Sequence, residues 1–313
     1  MRVVMTEDLW WPLPAAFANA YDVVYDASLV DDRTRLLAMG AETHALIVRN
    51  RTRVDAELLD AHPNLRVVGR LGVGLDNIDL AACRDRNVQV VAARGCNAIS
   101  VAEYVIACLF DKARFLRRCD ADVKGGVWNR TIAMGNEVYG KTLGLVGVGD
   151  IGQRVATRAR ALGMHVIAYD PFVLSTSALV QDVHVDLVSL ETVMQEAHFI
   201  SVHVPLTPET RHVIGEKQLA QMRDSAVLIN TSRGGTVDEA ALLDTLRAHP
   251  AQTAYLDVRE QEPPADDDLL LKLDNAVCTP HVAGITNESS QRVAEFILAE
   301  VDLALRKVEA KQA

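Results

Sequence analysis

Two successive series of short β-branched runs, each alternating with stretches of helical apolar spacing, set the strongest limit on how this chain can fold. The first series has runs at residues 3–5, 22–25, 45–48, 66–69 and 88–91, with helical spacing at 31–39 and 55–61 between them. The second begins at Lys141, with runs at 142–146, 165–169, 199–202, 226–230, 253–256 and 276–279. Strands that each return through a helix pair in parallel, with the helices covering both faces of the sheet. The expected fold class is α/β, with two doubly wound parallel-sheet domains.

Between the series, residues 97–115 have the pattern of one long helix, with Ser100 as N-cap and Glu103 three residues on completing a capping box. Residues 124–138, with Gly125, Gly126, Trp128 and Gly135, are expected to be irregular. A last amphipathic helix is expected over 289–306, with Val293, Phe296, Ile297, Val301 and Leu305 on one face. The second series suffices for a six-stranded domain, so the last helix is expected to return to the first. The expected domains are residues 1–98 with 289–313, and 99–288, with the crossings near 97–100 and 284–290.

A length of 313 residues agrees with two domains. With 32 basic against 42 acidic residues the net charge is −10, and no basic stripe offsets it, so nucleic acid is not an expected partner. No apolar run approaches the roughly 18 residues of a membrane span. The N-terminal MRVVMTEDLWWPLP has no apolar core or cleavage site of a secretory signal. The five cysteines are odd in number and none has CxxC spacing, which fits a reducing cytoplasm and neither a disulfide framework nor a zinc site; no metal is expected. Cys96, beside Gly95, is expected to be an inert thiol.

The run at 142–146 leads into Gly147-Val148-Gly149-Asp150-Ile151-Gly152, and a helical stretch follows. In such a G-x-G-x-x-G loop the first glycine permits the turn, the second lets the backbone approach a pyrophosphate, and the third lets helix and strand pack closely. The helix N-terminus adds N–H donors and partial positive charge. The next run ends at Asp170, 18 residues after Gly152, where a carboxylate would accept from a ribose 2′-OH and repel a 2′-phosphate. No arginine follows in residues 171–173, so NAD is expected over NADP.

Three later segments each follow an expected strand: Asn230-Thr231-Ser232-Arg233-Gly234-Gly235, Asp257 to Glu262-Pro263, and Thr279-Pro280-His281-Val282-Ala283-Gly284. Ligands in open α/β sheets lie outside the carboxyl ends of the strands, so an Arg, a Glu and a His are expected to converge there. Arg233 would hold a carboxylate bidentately and polarise a neighbouring carbonyl. His281 would donate a proton to the forming alkoxide, or remove one in reverse. Glu262 would hydrogen-bond His281, fixing its orientation and favouring its protonated form. Taken singly, each also reads as an ordinary surface or loop residue.

Together these motifs resemble the D-isomer-specific 2-hydroxyacid dehydrogenase family. The likeness runs in order through residues 69–79, Ser100-Val101-Ala102-Glu103-Tyr104, the glycine loop, His203-Val204-Pro205-Leu206-Thr207 and the three segments above. The resemblance implies Arg233, Glu262 and His281 as the catalytic trio. It implies that the Val73 and Gly74 amides bind the substrate carboxylate, with Gly147, Gly149, Asp150, Ile151 and Gly152 on the pyrophosphate and Asp170 on the adenosine ribose. Pro205, Thr231, Ser232, Asp257 and Gly284 would line the cofactor, with Asp257 near the nicotinamide carboxamide. A flavodoxin-like substrate domain, a Rossmann NAD-binding domain, closure of the two on NAD, and a homodimer with the helix near 100–115 at its contact are also implied. The family's formate dehydrogenases carry Gln where this chain has Glu262, which argues against that branch.

Arg49 and Arg70 end neighbouring expected strands and could hold a second anionic group at the far end of the substrate. The surroundings resemble phosphoglycerate and sulfolactate dehydrogenases of the family. The chain stops near residue 313 without the C-terminal extension of many phosphoglycerate dehydrogenases, which favours sulfolactate slightly. A glyoxylate or hydroxypyruvate reductase is the alternative, with Arg49 and Arg70 then structural. Trp10 and Trp11 could wall the substrate mouth or pack a loop. A different class, the NAD(H)-sensing co-repressor type, shares the fold and the trio, whereas a Rossmann methyltransferase would have no use for the trio.

Overall fold

The computed structural model describes residues 1–131 and 133–312, with the side chains of 309, 311 and 312 outside that description. Ile132, in the stretch expected to be irregular, and Ala313, the end of the expected first domain, lie outside the described residues. The chain forms two compact units, Met1–Asn97 with Ile285–Ala313, and Ala98–Gly284.

The first unit holds a five-stranded sheet of β1 (Arg2–Met5), β2 (Asp22–Tyr25), β3 (Thr43–Val48), β4 (Val67–Arg70) and β5 (Gln89–Ala92). The order is β2-β1-β3-β4-β5 and every pairing is parallel, which is the flavodoxin-like arrangement. Both faces are apolar, as a sheet covered on both sides requires. Val3, Met5, Ala45, Ile47 and Val67 pack with Val293, Ile297, Val301 and Leu305 of the last helix. Val4, Leu46, Val48 and Val68 pack on the other face with Leu36, Leu58, Leu59 and Cys83. The helices Arg33–Ala38, Ala56–Ala61 and Leu80–Asp85 each begin at an aspartate (Asp32, Asp55, Asp79) whose carboxylate accepts a first-turn amide.

The last helix runs over Asn287–Gln312, longer than expected at both ends, and does pack on the first sheet. Phe296 is not on its buried face but 39% exposed. It sits one residue, about 100° of helix rotation, from the stripe carried by Val293, Ile297, Val301 and Leu305.

The second unit holds β6 (Thr142–Val146), β7 (His165–Tyr169), β8 (Asp186–Leu187), β9 (Phe199–Val202), β10 (Val227–Asn230), β11 (Thr253–Leu256) and β12 (Ala276–Cys278). The order β12-β11-β10-β9-β6-β7-β8 is parallel throughout. Seven strands replace the expected six. The additional β8 is two residues at the sheet edge, paired with Ile167 and Ala168, too short to leave a hydrophobic period. The chain winds outward from β6 through β7 to β8, then restarts on the other side of β6 with β9, so the β6/β9 border is the switch point of the sheet.

The long helix spans Ala98–Arg114 and packs Ala102, Val105 and Leu109 into the core with Leu143, Leu145 and Val166. It starts two residues before Ser100, which is buried inside it and is not its N-cap, so the expected capping box does not form. Glu103 lies 3.7 Å from Arg158 instead. A further helix, Leu116–Lys124, follows and has no buried residue. None of the described helices is long and apolar enough to cross a membrane.

Candidate active site

The sheet of the second unit delivers the expected residues at one end. Gly147–Gly152 follows β6, Asp170 follows β7, Pro205 follows β9, Thr231–Arg233 follows β10, Asp257 and Glu262 follow β11, and His281–Gly284 follows β12.

At the switch point, Gly147 has a left-handed φ of 91°, and a Cβ there would lie 2.8 Å from the His203 carbonyl oxygen. A Cβ on Gly152 would come within 2.5 Å of the Gly147 oxygen, whereas one on Gly149 would meet nothing within 4 Å. The outer side of the loop is therefore open at Gly149, where the helix Asp150–Ala161 begins and presents its free amides. The Asp170 carboxylate accepts from the amides of Val148 (2.9 Å) and Phe172 (2.9 Å), which leaves each oxygen further acceptor capacity. The Thr231 hydroxyl is buried with no protein partner. An open cradle at a helix N-terminus, a fixed carboxylate past the next strand and an orphaned hydroxyl fit a dinucleotide of the NAD type.

Arg233 sits in a loop built by Asn230, a buried residue at the end of β10. The Asn230 side chain accepts from the Ser232 amide (3.1 Å) and hydroxyl (2.8 Å) and donates to the Arg233 carbonyl (3.1 Å). The Thr236 hydroxyl donates to that same carbonyl (2.7 Å), and the Arg233 guanidinium donates to Ser232 O (2.7 Å).

Glu262 and His281 meet through a 2.8 Å hydrogen bond between Oε2 and Nδ1. The other carboxylate oxygen accepts the Arg259 amide at 3.0 Å. Burial alone would raise the Glu262 carboxyl, but the His281 hydrogen bond, the Arg259 amide and the charge of Arg233 outweigh it and hold it below the ordinary carboxylate range. Facing a carboxylate, Nδ1 carries the ring hydrogen, which leaves Nε2 for chemistry. The histidine side chain is 44% exposed.

The backbone at His281 is left-handed, with φ 56°. Such a conformation costs about 1–3 kcal/mol outside glycine and persists only where the surroundings impose it. Asp257 imposes it. Its buried carboxylate accepts from the Thr279 hydroxyl (2.6 Å), the Val282 amide (2.8 Å) and the Ala283 amide (2.8 Å). The Tyr104 hydroxyl lies 2.6 Å from the Thr279 hydroxyl and completes the chain. Tyr104, Asn230 and Arg259 were not singled out from the sequence, because their contribution is made through neighbours in space.

The expected substrate-tail residues belong to the first unit. Arg49 donates through Nε and Nη2 to the Asp8 carbonyl (3.0 and 2.9 Å) and through Nη2 to the Leu9 carbonyl (3.2 Å). Its guanidinium stacks 3.5 Å over the ring of Trp10, itself left-handed and 46% exposed. Burial, partly offset by Glu7 and Asp8, brings the Arg49 guanidinium down to about 10. Arg70 ends β4 and lies over Gly72, where a Cβ would clash with Nη1 at 1.5 Å; Val73 beyond it is exposed and Gly74 half-buried. Trp11 packs partly into the core. The carboxylate of Glu7, not anticipated from the sequence, is buried and takes the amides of Arg49 (2.8 Å), Asn50 (3.3 Å), Arg51 (3.1 Å) and Thr52 (3.0 Å). Cys96 is half-buried, and burial raises its thiol. Among the described residues no cluster of His, Cys, Asp and Glu is arranged to hold a metal ion.

Residues 106–283 match the family model of the D-isomer specific 2-hydroxyacid dehydrogenase, NAD binding domain. The chain is 49% identical to an (S)-sulfolactate dehydrogenase of Chromohalobacter salexigens over 283 residues, which cover 90% of this chain and 91% of that one. It is 44% identical to a D-3-phosphoglycerate dehydrogenase of Archaeoglobus fulgidus over 86% of this chain, but spans only 51% of that longer protein. Its fold superposes on the structure of a D-lactate dehydrogenase of Aquifex aeolicus complexed with NAD and lactic acid, with a TM-score of 0.85 and 27% identity, covering 100% of this chain and 97% of that one. The chain thus belongs to the D-isomer-specific 2-hydroxyacid dehydrogenases, NAD-dependent oxidoreductases that interconvert 2-hydroxy and 2-keto acids.

Proposed function

We propose that Arg233, Glu262 and His281 carry the hydride-transfer chemistry and that the substrate is a short 2-hydroxy acid with an anionic tail, sulfolactate first and 3-phosphoglycerate second. The observation that carries the catalytic reading is the 2.8 Å contact between Glu262 Oε2 and His281 Nδ1. Arg233 binds the substrate carboxylate and polarises the C2 carbonyl. The amides of Val73 and Gly74 add donors to that carboxylate. Bound NADH supplies the hydride that reduces C2. His281 Nε2 gives its proton to the carbonyl oxygen as negative charge develops there, and Glu262 stabilises the imidazolium before transfer. In the oxidative direction the neutral Nε2 takes the hydroxyl proton.

Gly147, Gly149, Asp150, Ile151 and Gly152 take the pyrophosphate and Asp170 the adenosine ribose. Pro205, Thr231, Ser232, Asp257 and Gly284 line the nicotinamide end. The Asp170 carboxylate disfavours a 2′-phosphate, so NAD is preferred over NADP.

Arg49 and Arg70 supply the positive charge for the tail, a reading supported by the similarity to a sulfolactate dehydrogenase. A glyoxylate or hydroxypyruvate reductase is the second reading, favoured by the fact that Arg49 already spends Nε and Nη2 on the carbonyls of Asp8 and Leu9. NADH oxidation with sulfopyruvate, phosphohydroxypyruvate, hydroxypyruvate, glyoxylate and pyruvate decides between them. An advantage of more than about tenfold in kcat/KM for either of the first two, about 1.4 kcal/mol, supports the anionic tail; parity or preference for the acids without a charged tail overturns it.

A cytoplasmic location fits the five free thiols. A homodimer fits the exposed apolar side chains of Phe110, Leu116, Trp128 and Met134 along and after the Ala98–Arg114 helix, and a monomeric mass in solution would refute it.

A further inference from the structure

Arg259 lies two residues after Asp257 and three before Glu262, and its side chain is only 4% exposed. The guanidinium takes both oxygens of Glu239, through Nε at 3.0 Å and Nη2 at 2.9 Å, and Nη2 also reaches Asp268 Oδ2 at 2.6 Å. Glu239 opens the helix Glu239–Ala248, which Asp238 caps, so the clamp is tied to a rigid element. Glu239 Oε1 accepts the Glu260 amide as well, at 2.7 Å, and Glu260 in turn accepts from His212 Nε2 at 2.8 Å. The peptide between residues 259 and 260 is thereby held from both sides of the link.

The backbone of Arg259, carbonyl on one side and amide on the other, touches both halves of the catalytic set. A Cβ on Gly234 would lie 1.9 Å from the Arg259 carbonyl carbon and 2.0 Å from its oxygen, so the peptide rests directly on the residue after Arg233. The Arg259 amide donates to Glu262 Oε1 at 3.0 Å, which leaves Oε2 turned to His281. A buried guanidinium with two carboxylates is no efficient source of stability, since desolvation offsets the attraction. What a bidentate fork does supply is one fixed geometry.

We propose that Arg259 is a positioning residue of the hydride-transfer site: clamped by Glu239 and Asp268, it fixes its own backbone, the carbonyl against Gly234 and the amide on Glu262, and so sets the Arg233 loop and the orientation of the Glu262–His281 pair together. The proposal rests on the reading of that pair given above.

The test is a double-mutant cycle. Arg259→Met, Arg259→Lys and Glu239→Gln are each made in the wild-type and E262Q backgrounds. The kcat for keto-acid reduction at saturating NADH, its pH profile and the NADH Kd are measured. In the wild-type background R259M lowers kcat about tenfold, R259K and E239Q less, with NADH Kd within about twofold. The pH profile of reduction changes with it, because the 2.8 Å contact of the Glu262–His281 pair is disturbed. In the E262Q background the same changes cost less than about twofold, since the target of the positioning is already gone. Losses as large there as in wild type, or a lowered Tm with kcat and pH profile unmoved, overturn the proposal alone. A wild-type kcat in E262Q itself overturns the underlying reading of the pair, and this one with it. E239Q, which keeps the shape of its side chain, carries the same cycle if R259M does not fold.

Discussion

The two units solve one local problem in the same way and then diverge. In each, a buried carboxylate just past a strand end holds a loop that carries a cationic or protonatable side chain. Glu7 after β1 takes four consecutive amides from Arg49 to Thr52, and Asp257 after β11 takes two amides and a hydroxyl from the loop of His281. In the first unit the side chain so placed is spent locally, with Arg49 on two carbonyls and stacked over Trp10. In the second it is left outward, with His281 bonded to one carboxylate and Nε2 uncommitted. The same anchoring device thus builds a packed corner in one place and leaves a ring nitrogen uncommitted in the other. What separates them is whether the anchored side chain still has capacity to act.

The contrast is broken most severely at His281. His281→Ala is expected to lower kcat for keto-acid reduction roughly 10²–10⁴-fold while NADH affinity stays near wild type, as loss of a general acid–base requires. Steady-state kinetics with NADH fluorescence titration checks it, and an unchanged kcat would remove His281 from the chemistry. Asp257→Asn comes next. An amide cannot accept from all three donors, so at least one buried N–H or O–H loses its partner, at about 1–3 kcal/mol of stability. The left-handed turn at His281 loosens, and kcat falls by up to roughly 10²-fold, the scale of a 1 Å misplacement. A variant with a lower Tm and full kcat would show that Asp257 serves the fold only.

How much of this was legible in the sequence follows from the range of each interaction. The strands and the glycine loop announce themselves through local periods and spacings, which survive in one dimension. So do Arg233, Glu262 and His281, because each sits a fixed few residues past a strand. Ser100 and Glu103 show the limit: their spacing matched a capping box, but the helix starts two residues earlier, where core packing of Ala98, Val101 and Ala102 fixes it. Phe296 matched a helical face loosely and lies at its flank. Glu7, Tyr104 and Arg259 act across the fold on residues 42, 175 and 20 positions away, and no local pattern encodes such a partner. The two-residue β8 exists only because β7 is there to pair with it.

Glu7→Gln sharpens the comparison from the first unit. Burial would raise this carboxyl, but the amides of Thr52, Arg49 and Arg51 and the Thr52 hydroxyl outweigh it and hold it below 4.5. A depressed carboxyl adds stability that is complete above its ordinary range and is lost as pH falls through the lower, folded value. The variant is therefore expected to lose about 1–3 kcal/mol at neutral pH. Its Tm difference from wild type should shrink as the solution is acidified below pH 4.5. A Tm gap that stays constant from neutral to acid pH would mean that the charge of Glu7 is not what holds the loop.

The smallest effect is expected at Arg49, and it is the one that decides whether the first unit's corner is only packing. If the remaining nitrogen of the guanidinium meets an anionic tail, Arg49→Ala raises KM for sulfopyruvate or phosphohydroxypyruvate more than for glyoxylate, by roughly tenfold, the scale of one charge-assisted hydrogen bond. If Arg49 only clamps the carbonyls of Asp8 and Leu9 and stacks on Trp10, all three substrates lose equally, and the loss follows the loosening of the 8–10 loop. Arg49→Lys separates the contributions further. A lysine keeps a charge for the tail but cannot reproduce the fork on the two carbonyls or the flat stack on the indole. Retained discrimination between acids with and without a charged tail in R49K, with a lower Tm, would assign the charge to the substrate and the planar geometry to the fold.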